Sequence, residues 1–202
     1  MHELTAPLRN AVPGDAGALS ELINFAGEGL PLHLWRSMAG PGEDPWAVGR
    51  SRAQREEGSF SYRNAVVAET ADGRVAACLI GYPLPDTPED IDYARTPAMF
   101  VPLQELENLA CGTWYVNVVA AFPEHRNRGY GTRLLNLAEN TAAKLGKRGL
   151  SLIVADANVA ARRLYARSGY REIATRPIVK NGWQTEADHW VLMIKGLSAD
   201  RA

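Results

Sequence analysis

The order of apolar and polar residues along the chain predicts short strands alternating with amphipathic helices. In the helical segments, apolar residues recur every three or four positions, which places them on one face of a helix. In the strand segments, runs of Val, Ile, Ala and aromatic residues are bounded by Gly, Pro, Asn or Asp. Helices are expected at 13–29, 31–38, 97–112, 131–146 and 158–168, with a short one over 48–56, and strands at 7–12, 64–70, 74–84, 113–120, 149–155, 170–176 and 189–195.

Local signals define several ends of these elements. Asp15 is expected to cap the first helix, and Gly27 to end it. The tripeptide "ADG" at 71–73 lies between two strand segments and predicts a hairpin turn. The resulting order, β-α-α-β-β-α-β-α-β-α-β-β, joins a central β-α-β-α segment to antiparallel hairpins. We therefore expect an α/β (α+β) fold in which helices flank a mixed sheet.

Length, composition and charge narrow the class of protein. The chain has 202 residues, of which 46% are apolar, so we expect a single domain over 1–202. With 22 basic and 23 acidic residues, the formal net charge of −1 predicts no global attraction for nucleic acid or a membrane. No run of about 18 apolar residues is available to span a bilayer. Cys78 and Cys111 lie in apolar contexts and predict reduced thiols, so we expect a cytoplasmic protein.

The segment "HRNRGYG" at 125–131 places two glycines one residue apart between a predicted strand and a predicted helix. One interpretation is a tight connection in which the glycines only let the backbone turn. A second is a dinucleotide-binding fingerprint, which begins G-x-G-x-x-G. Leu134 replaces the third glycine, and eight residues separate the strand from Gly129. The sequence therefore argues against the dinucleotide fingerprint.

A third interpretation of the same loop is a cradle for a pyrophosphate group. Successive N–H groups from Arg128 to Thr132 would open the helix and point, with the positive end of its dipole, at one anion. Gly129 and Gly131 would let phosphate oxygens approach the backbone, and the Thr132 hydroxyl could donate as well. Arg126 and Arg128 would add positive charge. We therefore expect the loop to bind the pyrophosphate of an acyl carrier.

Two blocks of the sequence follow one pattern of motifs. The first, Arg126-Asn127-Arg128-Gly129-Tyr130-Gly131, fits Q/R-x-x-G-x-G/A, and Pro123 lies three residues before it. The second, "NVAARRLYARSGYRE" at 158–172, fits N-x-x-A-x-x-L-Y-x-x-x-G-F/Y-x-E. Its matching residues are Asn158, Ala161, Leu164, Tyr165, Gly169, Tyr170 and Glu172. In this order, with one helix and one strand between them, the blocks resemble the acetyl-CoA-binding core of the GNAT superfamily of N-acetyltransferases, here at about 113–175.

The resemblance implies a fold, a cosubstrate and a reaction. The sheet would be mostly antiparallel and splayed between its fourth and fifth strands. Acetyl-CoA would bind through the glycine loop and through backbone groups of the strand before it, without a metal. The reaction would be direct attack of a primary amine on the thioester, in a ternary complex and without a covalent enzyme intermediate. The implied cosubstrate-binding residues are Val119, Ala121, Arg126, Asn127, Arg128, Gly129, Tyr130, Gly131, Thr132, Asn158, Ala161 and Tyr165.

The resemblance also implies a general acid and leaves other roles open. Tyr165 would protonate the departing thiolate, since a phenol with a pKa of about 10 stays protonated at neutral pH. The alternative for Tyr165 is a tyrosine packed in the core of an amphipathic helix. Asn158 would bind the pantetheine arm, and it is also placed to be a helix N-cap. His125 borders the loop and is expected to be exposed.

The base that accepts the amine's proton is the least determined part of the site. Many relatives carry a glutamate on the strand before the loop, but 113–120 contains none, and Asn117 cannot accept a proton. Glu28 is the preferred candidate because relatives line the acceptor site with the turn between the first two helices. His33, Glu107 and a chain of waters are alternatives.

The partners that follow are acetyl-CoA and an unidentified amine, with no nucleic acid and no membrane, and a homodimer is left open. Six acidic residues in the segment 86–107, against Arg95 alone, favour a cationic acceptor or form a solvated surface. The main alternative function is a non-catalytic acyl-CoA-binding sensor on the same fold. The lack of a glutamate in 113–120 keeps that alternative open.

Overall fold

The computed structural model describes residues 4–197, and its helices and strands follow the order that the sequence predicts. The short helix expected near 48–56 is present at Pro45–Gln54. The strands are β1 (Leu8–Asn10), β2 (Ala65–Glu69), β3 (Val75–Pro83), β4 (Trp114–Ala121), β5 (Gly149–Ala155), β6 (Arg171–Pro177) and β7 (His189–Gly196). The helices are α1 (Ala16–Ala26), α2 (Leu30–Met38), α3 (Pro45–Gln54), α4 (Val101–Asn108), α5 (Tyr130–Lys144) and α6 (Val159–Arg167).

The strands form a mixed, mostly antiparallel sheet in the order β1-β2-β3-β4-β5-β7-β6. Antiparallel register joins β1 to β2, β2 to β3, β5 to β7 and β6 to β7. The one parallel pairing with a described register joins β4 to β5, where Trp114 faces Leu150 and Tyr115 faces Ser151. This sheet, with helices flanking it, confirms the predicted fold class. The hairpin predicted at "ADG" is also present, with Gly73 at φ +80° between β2 and β3.

The described residues divide into two compact units. The first comprises 4–81 and 117–134, and the second comprises 82–116 and 135–197. β4 therefore begins in the second unit and ends in the first. The expectation of a single domain over 1–202 stays a prediction.

The core of the first unit lies where α1, α2 and α3 pack on the strands. Leu19 and Leu22 of α1 are fully buried with Val67 of β2 and Ile80 of β3. Trp35 of α2 packs edge-on against Trp46, with ring centroids 5.6 Å apart. Burial of these apolar side chains is the main stabilising contribution to the unit.

Asp15 does not cap α1, which corrects one expectation. A 3₁₀ turn at Pro13–Asp15 precedes the helix, so the Asp15 side chain faces back along the chain. Its carboxylate accepts a hydrogen bond from the Val12 N–H at 2.8 Å and two from the Arg9 guanidinium at 2.7 and 3.0 Å. The helix ends beside Gly27 as predicted, and the left-handed residues that follow are Glu28 (φ +52°) and Gly29 (φ +87°).

The second unit is built around the fully paired strands β5 and β7, whose buried residues include Leu150 and Leu192. Ala138 and Ala142 on α5 are also fully buried, as the helical periodicity predicts. Leu145 completes the same sequence pattern but is 56% exposed. α5 ends at Lys144, so Leu145 lies just past the end of the helix.

The described part of the chain has neither a membrane-spanning helix nor a metal-binding cluster. Within 4–197, no helix combines the length and the apolar character needed to cross a membrane. Over the same residues, His, Cys, Asp and Glu do not gather into a group of three or more that could hold a metal ion.

Candidate functional site

The connection from β4 to α5 has the backbone of a tight glycine loop. A 3₁₀ turn at Pro123–His125 is followed by left-handed residues at Asn127 (φ +60°) and Gly129 (φ +82°). A Cβ added at Gly129 would meet no atom within 4 Å, so the space beside its Cα is open. The left-handed φ accounts for glycine at this position, and the open space makes the backbone accessible to a ligand.

The start of α5 has backbone N–H groups that precede its first described helical hydrogen bond. The first helical hydrogen bond described for α5 runs from the Arg133 N–H to the Gly129 carbonyl, at 3.1 Å. The N–H groups of Tyr130, Gly131 and Thr132 therefore precede the first residue that has a helical acceptor. Together with the positive end of the helix dipole, these donors make the N-terminus of α5 suited to bind an anion.

Arg126 contributes positive charge in the loop just before the N-terminus of α5. Its Cζ lies 5.7 Å from the centroid of the Phe25 ring, and its Nε donates a long hydrogen bond of 3.4 Å to the Ala121 carbonyl. The Phe25 ring meets Phe122 edge-on at 6.1 Å. Arg126, Asn127 and Arg128 are exposed, so the two arginines can reach a ligand from solvent.

His125 is buried rather than exposed, contrary to expectation. It is 9% exposed, and its ring meets the Tyr130 ring edge-on at 6.4 Å. The 3₁₀ turn that it completes brings the side chain against the first residue of α5. Its Nδ1 is buried without a hydrogen-bond partner among the described residues.

The part of β4 that leads into the loop carries two of the predicted residues. Val119 and Ala121 are half-buried, and they alternate along the strand with Val118 and Ala120. Asn117 precedes them on the same face, and its Nδ2 is buried without a partner among the described residues. An amide nitrogen can only donate, so Asn117 offers a hydrogen bond there but no proton acceptor through that atom.

The predicted residues of α6 lie in the second unit. The Asn158 side chain accepts a hydrogen bond from the Ala161 N–H at 3.1 Å, which confirms the N-cap interpretation. Ala161 is half-buried in the first turn of the helix. A contact from Asn158 to a pantetheine arm stays a prediction.

Tyr165 belongs to a group of aromatic rings that we call the tyrosine cluster, made up of Tyr82, Tyr115, Tyr165 and Tyr170. Tyr165 is 8% exposed, and its ring centroid lies 5.9 Å from that of Tyr170. The ring centroids of Tyr82 and Tyr115 are 5.6 Å apart. Tyr115 is also near enough to Tyr165 for the two to interact electrostatically. Burial of the ring alone does not decide between packing and catalysis for Tyr165.

The environment of the tyrosine cluster keeps its buried phenols protonated. Burial raises the pKa of the Tyr115 phenol well above its usual value, and the nearby Glu107 carboxylate raises it further. Burial likewise raises the pKa of Tyr170, with a smaller contribution from Tyr165. These phenols can therefore donate hydrogen bonds at neutral pH, but they do not act as bases there.

The three side chains considered as bases occupy different elements. Glu28 lies in the left-handed turn between α1 and α2, and His33 lies on α2. Glu107 lies near the end of α4 and is half-buried. Burial raises the pKa of Glu107 to about 7, and the negative charge of Glu89 adds to the shift. The family resemblance favours Glu28 through the turn on which it lies, whereas the burial of Glu107 leaves no local signal in the sequence.

Comparison with known proteins identifies the family. The model of the Acetyltransferase (GNAT) family matches residues 32–170. A search of curated proteins found no significant match. Among solved structures, an N-acetyltransferase from Staphylococcus aureus Mu50 is 19% identical with a TM-score of 0.66, and covers 94% of this chain and 100% of its own.

Two further structures agree on the fold. A mosquito arylalkylamine N-acetyltransferase like 5b is 20% identical over 94% of this chain and 99% of its own, with a TM-score of 0.66. Another acetyltransferase is 21% identical over 95% of this chain and 99% of its own, with a TM-score of 0.63. At these identities the likeness shows the fold, whereas the family model covers more than half of the chain. The protein therefore belongs to the acetyltransferase (GNAT) family.

Proposed function

We propose that the protein transfers an acetyl group from acetyl-CoA to a primary amine. The observation that carries this proposal is the loop from Arg126 to Thr132, in a chain of the acetyltransferase family. Three features of the loop suit a bound pyrophosphate: its left-handed residues, the open space beside Gly129, and the amides that precede the first described helical hydrogen bond of α5. A connection that served only to turn the chain would not need two exposed arginines beside those amides.

In this proposal the first unit binds most of the cosubstrate. The N–H groups of α5's first turn hold the pyrophosphate, with Thr132 adding its hydroxyl and Arg126 and Arg128 adding charge. Asn127, Gly129, Tyr130 and Gly131 complete the loop around it. Main-chain groups at Val119 and Ala121 bind the pantetheine arm and the thioester carbonyl, and Asn158 and Ala161 bind the arm from α6.

The chemistry is a direct acyl transfer. The amine nitrogen attacks the thioester carbonyl carbon, a C–N bond forms, and the C–S bond breaks to release the CoA thiolate. Tyr165 gives its phenolic proton to that thiolate. The amine's proton passes to a base, for which the sequence favours Glu28 over His33, Glu107 or a water chain.

A panel assay tests the proposal. Purified protein is incubated with acetyl-CoA and polyamines, amino acids, aminoglycosides or peptide N-termini in turn, and free thiol release is followed. We expect turnover with at least one class of amine. Acetyl-CoA should also raise the melting temperature by linkage, whereas NADH should not. Equal stabilisation by NADH, or none by acetyl-CoA, would contradict the assignment of the loop.

A second candidate function is an acyl-CoA-binding sensor without catalysis. It is supported by the absence of a carboxylate on β4, where Asn117 instead has a buried amide nitrogen with no partner among residues 4–197. Under this alternative acetyl-CoA raises the melting temperature as before, but no amine in the panel releases free thiol. Turnover at a rate that depends on Tyr165 would exclude the sensor.

A further inference from the structure

Four buried side-chain atoms within residues 4–197 have no hydrogen-bond partner there, and one of them is on β4. The four atoms are Asn117 Nδ2, His125 Nδ1, Tyr170 Oη and Trp183 Nε1. An amide nitrogen always carries two hydrogens, whereas one ring nitrogen of a neutral histidine carries none. Tyr170 and Trp183 belong to the second unit, while the proposed pyrophosphate loop belongs to the first. Asn117 Nδ2 is therefore a permanent buried donor in the unit that holds the loop.

This donor has a cost that a ligand could remove. A buried N–H group without an acceptor destabilises the fold, because it has lost its hydrogen bonds to water. Nearly all buried polar groups in folded proteins have a partner, so an exception calls for a physical explanation. Asn117 as a whole is only half-buried, and the χ2 angle of an asparagine varies over a broad range. The amide can therefore turn toward a ligand that lies along β4.

Asn117 lies on the face of β4 that points away from the core of the first unit. Val118 is 3% exposed and belongs to that core, and Ala120 packs against it. Side chains alternate along a strand, so those of Asn117, Val119 and Ala121 point to the opposite face. Asn117 thus follows the spacing of the two residues whose main-chain groups are proposed to bind the cosubstrate.

The order of residues along β4 sets which part of the cosubstrate Asn117 meets. The loop proposed to bind the pyrophosphate follows Ala121, so the cosubstrate runs back along β4 with its acyl end toward Val119. Asn117 lies two residues farther from the loop, which is about 7 Å along a strand. The group of acetyl-CoA next to Asn117 is therefore its thioester, at the end opposite the pyrophosphate.

We propose that the Asn117 amide donates a hydrogen bond from Nδ2 to the thioester carbonyl oxygen of acetyl-CoA. This inference rests on the proposed acetyltransferase function. As the amine nitrogen attacks the carbonyl carbon, the π electrons of the C=O bond move to the oxygen, which becomes negative. The C=O bond forms again when the C–S bond breaks and the thiolate leaves. Asn117 transfers no proton, but its hydrogen bond strengthens with the charge on the oxygen and so lowers the barrier.

A neutral amide suits this position better than a carboxylate. An ionised carboxylate only accepts hydrogen bonds, and it would repel the negative charge that forms on the oxygen. β4 carries no carboxylate, and Asn117 is its one side-chain amide. The strand that lacks a base for the amine therefore has a donor for the carbonyl oxygen.

The test measures kcat and acetyl-CoA affinity in three variants, using an amine that the panel assay shows to be acetylated. Asn117→Leu keeps nearly the same shape and should lower kcat by about 10²–10³-fold, the usual effect of removing one such donor. Its acetyl-CoA dissociation constant should barely change, because the bond acts mainly in the transition state. Asn117→Asp should lose at least as much activity. Asn140→Leu, at an exposed asparagine of α5, is the matched control and should keep the wild-type kcat.

The melting temperature without ligand separates this role from a structural one. Asn117→Leu removes a buried donor that has no partner, so its melting temperature should equal or exceed that of the wild type. An asparagine that stabilises the fold would give the opposite sign, with a lower melting temperature and a loss of activity that follows it. A rise in stability together with a fall in kcat is expected only of a donor reserved for the ligand.

Each outcome decides the inference. If the wild type turns over and Asn117→Leu keeps its rate within a few-fold, Asn117 does not serve the carbonyl, and the acetyltransferase function stands. Weaker acetyl-CoA binding with an unchanged kcat would place the donor on the pantetheine arm and also overturn the inference. So would faster turnover by Asn117→Asp, since the side chain would then face the amine. If Asn117→Leu does not fold, the kcat of Asn117→Asp decides in its place. Wild-type protein without turnover overturns both proposals.

Discussion

The Arg126 guanidinium lies over the ring of Phe25, with its Cζ 5.7 Å from the ring centroid. The contact joins the end of α1 to the loop that follows β4, within the first unit. A cation–π contact restrains the position of the guanidinium and leaves its positive charge available to a ligand. In the proposed site, Phe25 therefore holds Arg126 in position before the cosubstrate arrives.

Phe25→Leu should weaken acetyl-CoA binding by about 2- to 5-fold, because an exposed cation–π contact contributes about 0.5–1 kcal/mol. Isothermal titration calorimetry measures the effect. Phe25→Tyr keeps the aromatic face and should bind as the wild type does. In an Arg126→Ala background, Phe25→Leu should have no further effect. Tighter binding by Phe25→Leu would show instead that the ring competes with the ligand for Arg126.

Arg126→Ala should weaken acetyl-CoA binding by about 10- to 100-fold, since a charge-assisted hydrogen bond contributes about 1.5–3 kcal/mol. Binding of acetyl-pantetheine, which lacks the pyrophosphate, should be unchanged. Arg133→Ala removes an exposed arginine at the fourth residue of α5 and controls for a general loss of positive charge. Equal losses for both ligands would exclude a contact from Arg126 to the pyrophosphate.

Tyr165→Phe should lower kcat by about 10²–10⁴-fold while acetyl-CoA affinity barely changes, because only the phenolic proton is removed. The loss should be smaller with acyl donors whose thiol leaves more easily. Tyr170→Phe is a matched control, since the Tyr170 hydroxyl is buried without a partner among the described residues. That variant should keep its activity. A Tyr165→Phe rate within a few-fold of wild type would leave Tyr165 as a packing residue.

Asp15→Asn should lower the free energy of unfolding at pH 7 by about 1–3 kcal/mol, since it breaks a buried, charge-assisted contact with Arg9. Burial alone would raise the pKa of Asp15, but hydrogen bonds from Arg9 and the Val12 N–H outweigh burial and lower it. The stabilisation is therefore present above about pH 4 and is lost as the pH falls through the folded-state pKa.

Urea denaturation across a range of pH checks the Asp15 prediction. The wild type and Asp15→Asn should differ most near neutral pH and converge in acid. Asp72→Asn removes the partner of Arg74 in the exposed hairpin turn, where solvent screens the ion pair, so this control should barely change the free energy of unfolding. If the difference in free energy of unfolding between wild type and Asp15→Asn persists unchanged into acid, the Asp15 side chain stabilises the fold by packing and not by its charge.

Much of the fold was predictable because the signals are local. The glycine loop was found from its residue types, and the structure places left-handed φ values at Asn127 and Gly129. β5 was predicted at its observed bounds, and Ala138 and Ala142 are buried as the period of α5 requires. The expected site residues of the loop and of α6 lie on the predicted elements, while their roles stay predictions.

Other features were predicted wrongly from the same local signals. Asp15 was expected to cap α1, but Arg9 and the Val12 N–H take its carboxylate. His125 was expected in solvent, but its ring packs against Tyr130. In each case the side chain contacts residues that the local sequence pattern does not indicate. A 3₁₀ turn next to Asp15 or His125 turns the side chain toward those residues.

By itself, the sequence determined the order of the elements, the fold class and the position of the glycine loop, because periodicity and left-handed turns depend on neighbouring residues alone. Only the tertiary structure decided which ionisable groups are buried and unpaired. Glu105 and Glu107 look alike in the sequence, yet one bonds to Arg176 and the other has a pKa raised to about 7. Desolvation and pairing depend on atoms from distant segments, and those atoms meet only when the chain has folded.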